Sequence, residues 1–217
     1  MTKEQQISFK SRVCSTAIRY SRIYHSQYVS FDYLIFSDAF HNQPYYIISA
    51  EKSNYLHLIG VSTNLSPNEF FEKCFNGTLC ESDFELSSHG YDAKESKGSI
   101  RRKIKALPYI DKLISCSSLI EENFQKNAVS CAIASSDGLC TLGFAATPKA
   151  RPKTLLIGNE LNISKASSIK IILKKSRLEK LFDNVQSGEI GEIIPYYDIV
   201  KDMLGEELRF QIESLKN

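Results

Sequence analysis

Residues 128–146, the stretch that decides the fold, read AVSCAIASSDGLCTLGFAA. Two runs of small, β-branched and aromatic residues, Ala128–Ala134 and Leu139–Ala146, flank the pair Asp137-Gly138. An Asp-Gly pair between two such runs is a strong short-range signal for a β-hairpin, because both residues tolerate a positive φ. The stretch therefore predicts two antiparallel strands in the second half of the chain.

Further strands are predicted on both sides of this hairpin. Toward the C-terminus, Thr154–Ile157 is a strand-like run, and Ser168–Lys174 alternates apolar and polar residues. Toward the N-terminus, Val29–Phe40 and Tyr45–Glu51 are rich in aromatic and β-branched residues. Residues 41–44 between them, His-Asn-Gln-Pro, have a turn composition, so this segment predicts a second hairpin.

Helical spacing of apolar residues and helix-start signals mark the predicted helices. These are Thr2–Tyr28, a helix beginning at Ser66 with Pro67 and Glu69, Ser99–Ser115 interrupted at Pro108, Leu178–Val185, and Pro195–Leu215 with a break at Gly205. The polar segment Ser87–Ser99 between two of them is predicted to be a mobile loop.

The change from helical spacing before Ser115 to short strand-like runs after Ala128 predicts one α+β domain. In this architecture N-terminal helices pack on an antiparallel β-sheet. Residues 1–28 are the N-terminal helix, residues 29–180 the core, and residues 181–217 a C-terminal helical tail.

The composition, 42% hydrophobic and 24% charged in 217 residues, is that of a soluble globular protein. Because no apolar run reaches the ~18 residues of a membrane span, no membrane partner is expected. The residues after Met1 lack the apolar segment of a secretory signal, so we expect a cytoplasmic protein. The six cysteines include no Cys-x-x-Cys pair, and we expect reduced thiols.

The net charge of +2 conceals two basic blocks. Lys97–Lys105 contains five cations and no acid, and Lys149–Lys180 contains nine cations against Glu160 and Glu179. Such segregation can create a basic face on a nearly neutral protein, which favours a polyanionic partner. Solvated lysine-rich helices and strands give the same pattern, so an inert charged surface stays open as the alternative.

Several catalytic signatures are absent from the sequence. There is no Gly-x-x-x-x-Gly-Lys loop, no Gly-x-Gly-x-x-Gly, no His-Glu-x-x-His, and no Cys/His spacing typical of zinc. Acidic residues do not cluster with histidine as in a two-metal nuclease. We therefore expect no metal and no cofactor. Histidine, lysine, arginine and hydroxyl groups remain, and they suffice to cleave RNA, which carries its own nucleophile in the 2′-hydroxyl.

His57 is the strongest candidate for proton transfer. It lies in the run NYLHLIGV (54–61), shortly after a predicted strand. An imidazole moves a proton near neutral pH, although a lone histidine in an apolar run is more often a satisfied core residue. His89, in the predicted loop, is a second candidate for proton transfer and RNA contact, and a loop histidine without a role is its alternative.

Two sets of residues are candidates to hold phosphate groups. The set at the edge of a predicted strand is Arg151, Lys153 and Thr154. The set on the predicted central helix is Arg101, Arg102 and Lys105. Arg101 and Lys105 are four residues apart and therefore share one exposed face of that helix.

Several motifs resemble a known family. They are YLHLIGV (55–61), FFEKCFNGTL (70–79), ESDF (81–84), RRKIKAL (101–107), and LGF (142–144) through RPKTLL (151–156). Over roughly Phe31–Lys175 the chain resembles phage- and mobile-element-associated nuclease domains of the barnase–EndoU–colicin–RelE-like superfamily. The resemblance implies a metal-independent endoribonuclease, with N-terminal helices packed on an antiparallel sheet that carries the active site.

The resemblance also implies site residues. The motif histidine is His57, and the basic, hydroxyl-bearing segment before the Leu-Leu pair supplies Arg151, Lys153 and Thr154. No second catalytic histidine is assigned in this way, so the other proton-transfer group stays open.

The leading hypothesis is an endoribonuclease that uses 2′-hydroxyl attack and serves as a toxin or anti-phage effector. Its partners would be RNA and an inhibitor or antitoxin protein. A non-catalytic RNA-binding module, stacking Tyr55, Tyr91 or Tyr109 on bases, is one alternative. A protein-interaction domain that uses the acidic C-terminal helix is another.

Overall fold

The computed structural model describes residues 8–87, 93–145 and 148–216. Its α-helices are α1 (Phe9–Tyr24), α2 (Tyr55–Ile59), α3 (Pro67–Asn76), α4 (Ala93–Ala106), α5 (Tyr197–Val200) and α6 (Glu206–Lys216). Its strands are β1 (Phe31–Ser37), β2 (Tyr46–Ser49), β3 (Leu119–Glu122), β4 (Gln125–Lys126), β5 (Val129–Ser130), β6 (Ile133–Ser136), β7 (Cys140–Ala145), β8 (Arg151–Ile157), β9 (Ser167–Ser176) and β10 (Asn184–Gly188). A π-helical turn, His25–Val29, follows α1, and 3₁₀ segments connect several of the other elements.

The start of α3 shows how local sequence sets a helix boundary. The Ser66 hydroxyl accepts a hydrogen bond from the Glu69 amide at 3.3 Å, and the Glu69 carboxylate accepts one from the Ser66 amide at 2.9 Å. This reciprocal capping satisfies two backbone donors that the first turn leaves without helical partners. Gly77 ends the helix at a φ of +74°, a conformation that glycine adopts without strain. The prediction from the Ser66 motif is confirmed.

The main sheet is antiparallel, with strand order β2-β1-β9-β3-β6-β7-β8. Strand β10 also pairs with β9, along the part of β9 that follows its pairing with β3. The sheet curls until its two edge strands meet. The amide of Ser49 on β2 donates to the Ala150 carbonyl at 3.0 Å, and the Ala150 amide donates to the Ile47 carbonyl at 2.7 Å. We call this contact between β2 and the start of β8 the seam.

Helices cover the sheet on both faces. Helices α1–α4 pack over a large core on one face, which contains the rings of Tyr24, Tyr55 and Phe71. On the opposite face of β1 and β9, Phe36 and Leu173 pack against the segments around α5 and α6. The chain is therefore an α+β protein with N-terminal helices on an antiparallel sheet, as the sequence predicts.

Both predicted hairpins are present: β1 pairs with β2, and β6 pairs with β7 around Asp137-Gly138. The single strand predicted over Ala128–Ala134 is wrong, because this run contains β5, which pairs with β4, and only the first two residues of β6. The helix predicted over Leu178–Val185 is wrong, because this segment is a turn followed by β10. The loop predicted over Ser87–Ser99 is wrong from Ala93 onward, where α4 begins, and its residues 88–92 lie outside the described part. The predicted C-terminal helix is divided into 3₁₀ segments, α5 and α6, with the predicted break at Gly205.

The six cysteines are free thiols in the structure, and four of them are buried. None of the helices in the described part of the chain combines the length and apolar character needed to span a bilayer.

Candidate functional site

A cleft of about 900 Å³ opens between α4, the β4–β5 hairpin and β8. Strand β8 pairs with β7 along one edge, and α2 and α4 pack against it. Four of the described lining residues are basic and one is acidic: Lys94, Arg102, Lys103 and Lys126, against Glu95. Lys126 also pairs with Glu160 outside the cleft at 2.8 Å. The cleft therefore carries an excess of positive charge, which would attract a polyanionic ligand.

Lys103 connects the cleft to the histidine motif. This half-buried residue of α4 lines the cleft, and its ammonium group donates a hydrogen bond to the carbonyl oxygen of His57. Burial lowers the pKa of Lys103 from 10.5 to about 8, because the charged form loses hydration.

Gly60 makes room for this contact. It ends α2 at a φ of +78°, and a Cβ atom placed there would lie 2.8 Å from Cδ of Lys103. The glycine in the motif thus serves two purposes. It adopts a backbone conformation that other residues rarely adopt, and it lets the lysine side chain cross the end of the helix.

His57 itself is exposed on α2, while its neighbours Leu58 and Ile59 are fully buried in the main core. The alternative of a core histidine is therefore wrong: the short helix turns the imidazole away from the apolar side. Partial desolvation and the nearby positive charge of Lys103 lower the pKa of His57 below its ordinary value of 6.5. The imidazole is consequently neutral at pH 7 and able to accept a proton.

Of the predicted strand-edge residues, Thr154 lines the cleft and is 7% exposed. A Cβ atom on Gly143, its partner on β7, would lie 3.0 Å from the Thr154 methyl group and 2.5 Å from Sγ of Cys131, so only glycine fits there. Lys153 is exposed, and its ammonium group donates to the Ser130 carbonyl at 2.7 Å. Lys153 therefore connects β8 to the β4–β5 hairpin on the other side of the cleft.

Arg151 lies instead in a group of charged side chains at the seam, which we call the seam cluster. Its members are Asp32, Glu51, Lys149, Arg151, Lys175 and Arg177. Arg151 pairs with Glu51 at 2.8 Å. Burial favours a raised pKa of Glu51, but hydrogen bonds and charges from Arg177 and Arg151 outweigh it and lower that pKa.

The remaining predicted residues are dispersed. Arg102 lines the cleft, whereas Arg101 lies 5.2 Å from the ring centre of Phe9 in a cation–π contact. Lys105 is exposed and is not among the described residues that line the cleft. His89 lies outside the described residues, as does Tyr91.

The cleft therefore brings Arg102 and Thr154 together and connects them to His57 through Lys103. The separate positions of Arg101 and Arg151 do not support one continuous basic face built from both blocks. Tyr55 is fully buried, and its hydroxyl donates to the Ala17 carbonyl at 2.7 Å, so it cannot stack on a base.

Lys103 lines the cleft but is not among the site residues predicted from the sequence. It lies in the first basic block and inside the quoted motif RRKIKAL. The available signal was its position three residues after Ile100 and one before Ile104, which brings it toward the buried side of the helix. In the part of the chain that the structure describes, no group of three or more His, Cys, Asp or Glu side chains is placed to hold a metal ion.

The fold and the cleft define a class: an α+β protein with a basic cleft, in which a lysine contacts the backbone of a neutral histidine. Residues 12–180 match the family described as phage-Barnase-EndoU-ColicinE5/D-RelE like nuclease 4, and the chain belongs to this nuclease family. The resemblance seen in the sequence motifs is thereby confirmed. Comparisons with curated proteins and with solved structures gave no match.

Proposed function

We propose that this nuclease-family protein is an endoribonuclease that cleaves RNA without a metal ion, through attack by the substrate's own 2′-hydroxyl group. One observation carries the proposal: Arg102 and Thr154 line one basic cleft, and Lys103 in that cleft holds the backbone of His57. A proton-transfer group beside a phosphate-binding cleft is the minimum that this reaction needs.

In this proposal His57 accepts the proton of the 2′-hydroxyl. Its lowered pKa supports the role, because a base must be unprotonated at the working pH. Thr154 donates a hydrogen bond to a phosphate oxygen, and Arg102 supplies positive charge as the phosphorane-like transition state forms.

Other cations in the proposal act on the scissile or flanking phosphates. Lys153 and Arg151 would stabilise the transition state, each by exchanging its present contact, with Ser130 or Glu51, for a phosphate oxygen. Arg101 and Lys105, both exposed on α4, would contact flanking phosphates.

A role as a toxin or anti-phage effector in the cytoplasm, restrained by an inhibitor protein, is part of the proposal. The family description, which names phage, colicins and RelE, supports this role. Six free thiols suit a reducing compartment.

The test is incubation of the purified protein, in the presence of a chelator, with total RNA and with transfer RNA. We expect discrete fragments that carry 2′,3′-cyclic phosphate ends, and no cleavage of DNA. Intact RNA that is nevertheless bound would favour a non-catalytic RNA-binding module. Intact RNA without binding at modest salt concentration would favour a protein-interaction domain.

A further inference from the structure

The proposed reaction needs two proton transfers, and His57 accounts for one. Attack by the 2′-hydroxyl releases a proton, and departure of the 5′-oxygen from phosphorus requires one. The other described histidines are elsewhere: His25 packs against Phe75 with ring centres 4.8 Å apart, and His41 is exposed at the turn of the first hairpin. Neither is among the described residues that line the cleft. His57 does not line it either, but its carbonyl oxygen accepts a hydrogen bond from Lys103, which does.

We propose that Lys103 is the general acid, donating a proton from its ammonium group to the 5′-oxygen that leaves the scissile phosphate. This inference rests on the proposed ribonuclease function and supplies the proton-transfer group that the function leaves unassigned.

The geometry supports this assignment. Lys103 lines the cleft, its ammonium group contacts the backbone of the residue that acts as base, and its charge acts on the imidazole of that residue. An ammonium group has three donors, and the carbonyl oxygen of His57 occupies one of them, which leaves protons for a substrate. The other lysines that line the cleft are less suited, because Lys126 pairs with Glu160 and Lys94 is exposed.

The electrostatics agree with the geometry. With a pKa of about 8, Lys103 is mostly protonated at pH 7 but releases its proton far more readily than an ordinary lysine. Desolvation, together with the positive charge of Lys103, lowers the pKa of His57 and keeps its imidazole neutral. Two titratable groups whose protonation states differ at the working pH are the usual arrangement of a base and an acid.

The step balances in atoms and charge. The imidazole of His57 takes the 2′-hydroxyl proton as the 2′-oxygen bonds to phosphorus. The bond between phosphorus and the 5′-oxygen breaks, and a proton from Lys103 passes to that oxygen. The products are a 2′,3′-cyclic phosphate and a 5′-hydroxyl, and exchange with water returns His57 and Lys103 to their starting states.

The experiment compares two versions of one short RNA with a single cleavage site. The first has the natural 5′-oxygen at the scissile bond, and the second has a 5′-bridging sulfur, whose thiolate leaves without a proton. Lys103→Met keeps the length of the apolar side chain beside Gly60 and removes the acid. Lys103→Arg keeps the charge but holds its proton at any working pH.

We expect both Lys103 variants to cleave the oxygen substrate about 10²–10⁴-fold more slowly than the wild type, and the sulfur substrate less than about 10-fold more slowly. His57→Ala should slow cleavage of both substrates, because the base is needed in either case. Lys112→Met, which changes an exposed lysine beyond α4, should cleave both at wild-type rates.

Equal slowing of both substrates by Lys103→Met would overturn the inference, since it would indicate a structural or purely electrostatic role. Cleavage of the oxygen substrate at the wild-type rate by either Lys103 variant would also overturn it. Each of these two results would contradict the role of Lys103 alone and would leave the ribonuclease proposal intact. A wild-type protein that cuts neither substrate would overturn the ribonuclease proposal and, with it, this inference. Thermal unfolding of each variant identifies any loss of rate that comes from misfolding.

Discussion

At the scale of single residues, His57 shows how a three-dimensional position changes the meaning of a residue. Its sequence neighbours are apolar, and such surroundings favour a buried histidine. In the structure, Leu58 and Ile59 enter the core while the imidazole stays exposed, because helical geometry sends adjacent residues in different directions. The apolar run therefore anchors the helix, and the imidazole of His57 remains exposed to solvent.

We expect His57→Ala to lower the cleavage rate by about 10²–10⁴-fold, the usual contribution of a positioned acid or base. Binding of a deoxy-substituted, uncleavable RNA should stay within about threefold, since the neutral imidazole adds no charge to the cleft. In the wild type, the rate should rise with pH through the pKa of His57, at a midpoint below 6.5. Single-turnover rates across pH 5–9 measure both effects. A rising limb at the same pH in His57→Ala would assign that titration to another group.

At the scale of elements, the contact between α2 and α4 determines where His57 lies relative to the cleft. Helix α2 has five residues, too few to be stable alone, and its packing on the core and on β8 holds it. Gly60 ends it and admits the side chain of Lys103. The position of His57 therefore depends on a packing contact between two separate motifs.

Gly60→Ala tests this contact, and Gly77→Ala is its matched control. Both glycines end helices at similar φ values, +78° and +74°, so each substitution should cost about 1–2 kcal/mol of backbone strain. Only at Gly60 would the added Cβ meet Lys103; nothing lies within 4 Å at Gly77. We expect similar losses of unfolding free energy but a loss of cleavage in Gly60→Ala alone. Equal activity in the two folded variants would show that the Lys103 position does not matter.

The elements that the sequence predicts well are those with complete local signals, such as the Ser66 capping box and the Asp137-Gly138 turn. The elements that it misses rely on distant partners. Strand β10 contains one large apolar residue, Val185, which pairs with Leu173, so no alternation is visible in its own sequence. Strand β3 ends in Glu122, an acidic residue that the sequence alone would place on the surface but that is buried. Its carboxylate accepts hydrogen bonds from the amides of residues 41 and 42 and from the Tyr46 hydroxyl.

At the scale of the whole molecule, the seam cluster fixes the closure of the sheet. Asp32, with a side chain 3% exposed, lies within 2.8 Å of Lys149 and 3.4 Å of Arg177, which come from distant parts of the chain. Burial favours a raised pKa of Asp32, but hydrogen bonds from Lys149 and Ser49 and nearby positive charges outweigh it and lower that pKa. The cluster therefore stabilises the fold when its carboxylates are ionised.

We expect Asp32→Asn to reduce the unfolding free energy at pH 7 by about 1–3 kcal/mol, because it leaves cations at the seam without their buried partner. The pKa of Asp32 is lower in the folded state than its unfolded-state value of about 4. Its ionisation therefore stabilises the fold fully above about pH 4, and this stabilisation is lost as the pH falls through the folded-state pKa. The difference between variant and wild type should thus shrink from pH 5 to pH 2. Asp38→Asn, at an ion pair with a 66% exposed carboxylate, should change stability by less than about 0.5 kcal/mol. A constant difference across this pH range would contradict the role of Asp32 ionisation.

The cleft predicts a salt-dependent affinity for RNA. Each cation that neutralises a phosphate contributes nearly one unit to the slope of log affinity against log salt concentration. We expect Arg102→Ala to weaken binding and reduce that slope by about 1, and Lys112→Ala to leave it unchanged. Titrations at four or more salt concentrations measure the slope. An unchanged slope in Arg102→Ala would place the phosphate path away from this cleft.

The sequence predicts which types of residue form the candidate site, but only some of the particular residues that line it. Thr154, predicted from its motif, and Arg102, predicted from its basic block, both line the cleft, whereas His57 contacts it only through its backbone. The sequence could not separate Lys103 from Lys105, because both are lysines of one helix and only burial distinguishes them. It also could not show that Arg151 pairs with Glu51, since that contact exists only because the curled sheet closes at the seam.

The most direct test of 2′-hydroxyl attack is cleavage of an RNA that carries a single deoxynucleotide at the mapped cleavage position. The measurement is made with a chelator present and beside the all-ribose RNA. We predict that the all-ribose RNA is cut to a 2′,3′-cyclic phosphate and that the deoxy-substituted RNA stays intact at that position, because the attacking group is missing. Cleavage of the deoxy-substituted RNA at the same position would show that the nucleophile comes from elsewhere and would contradict the proposed reaction.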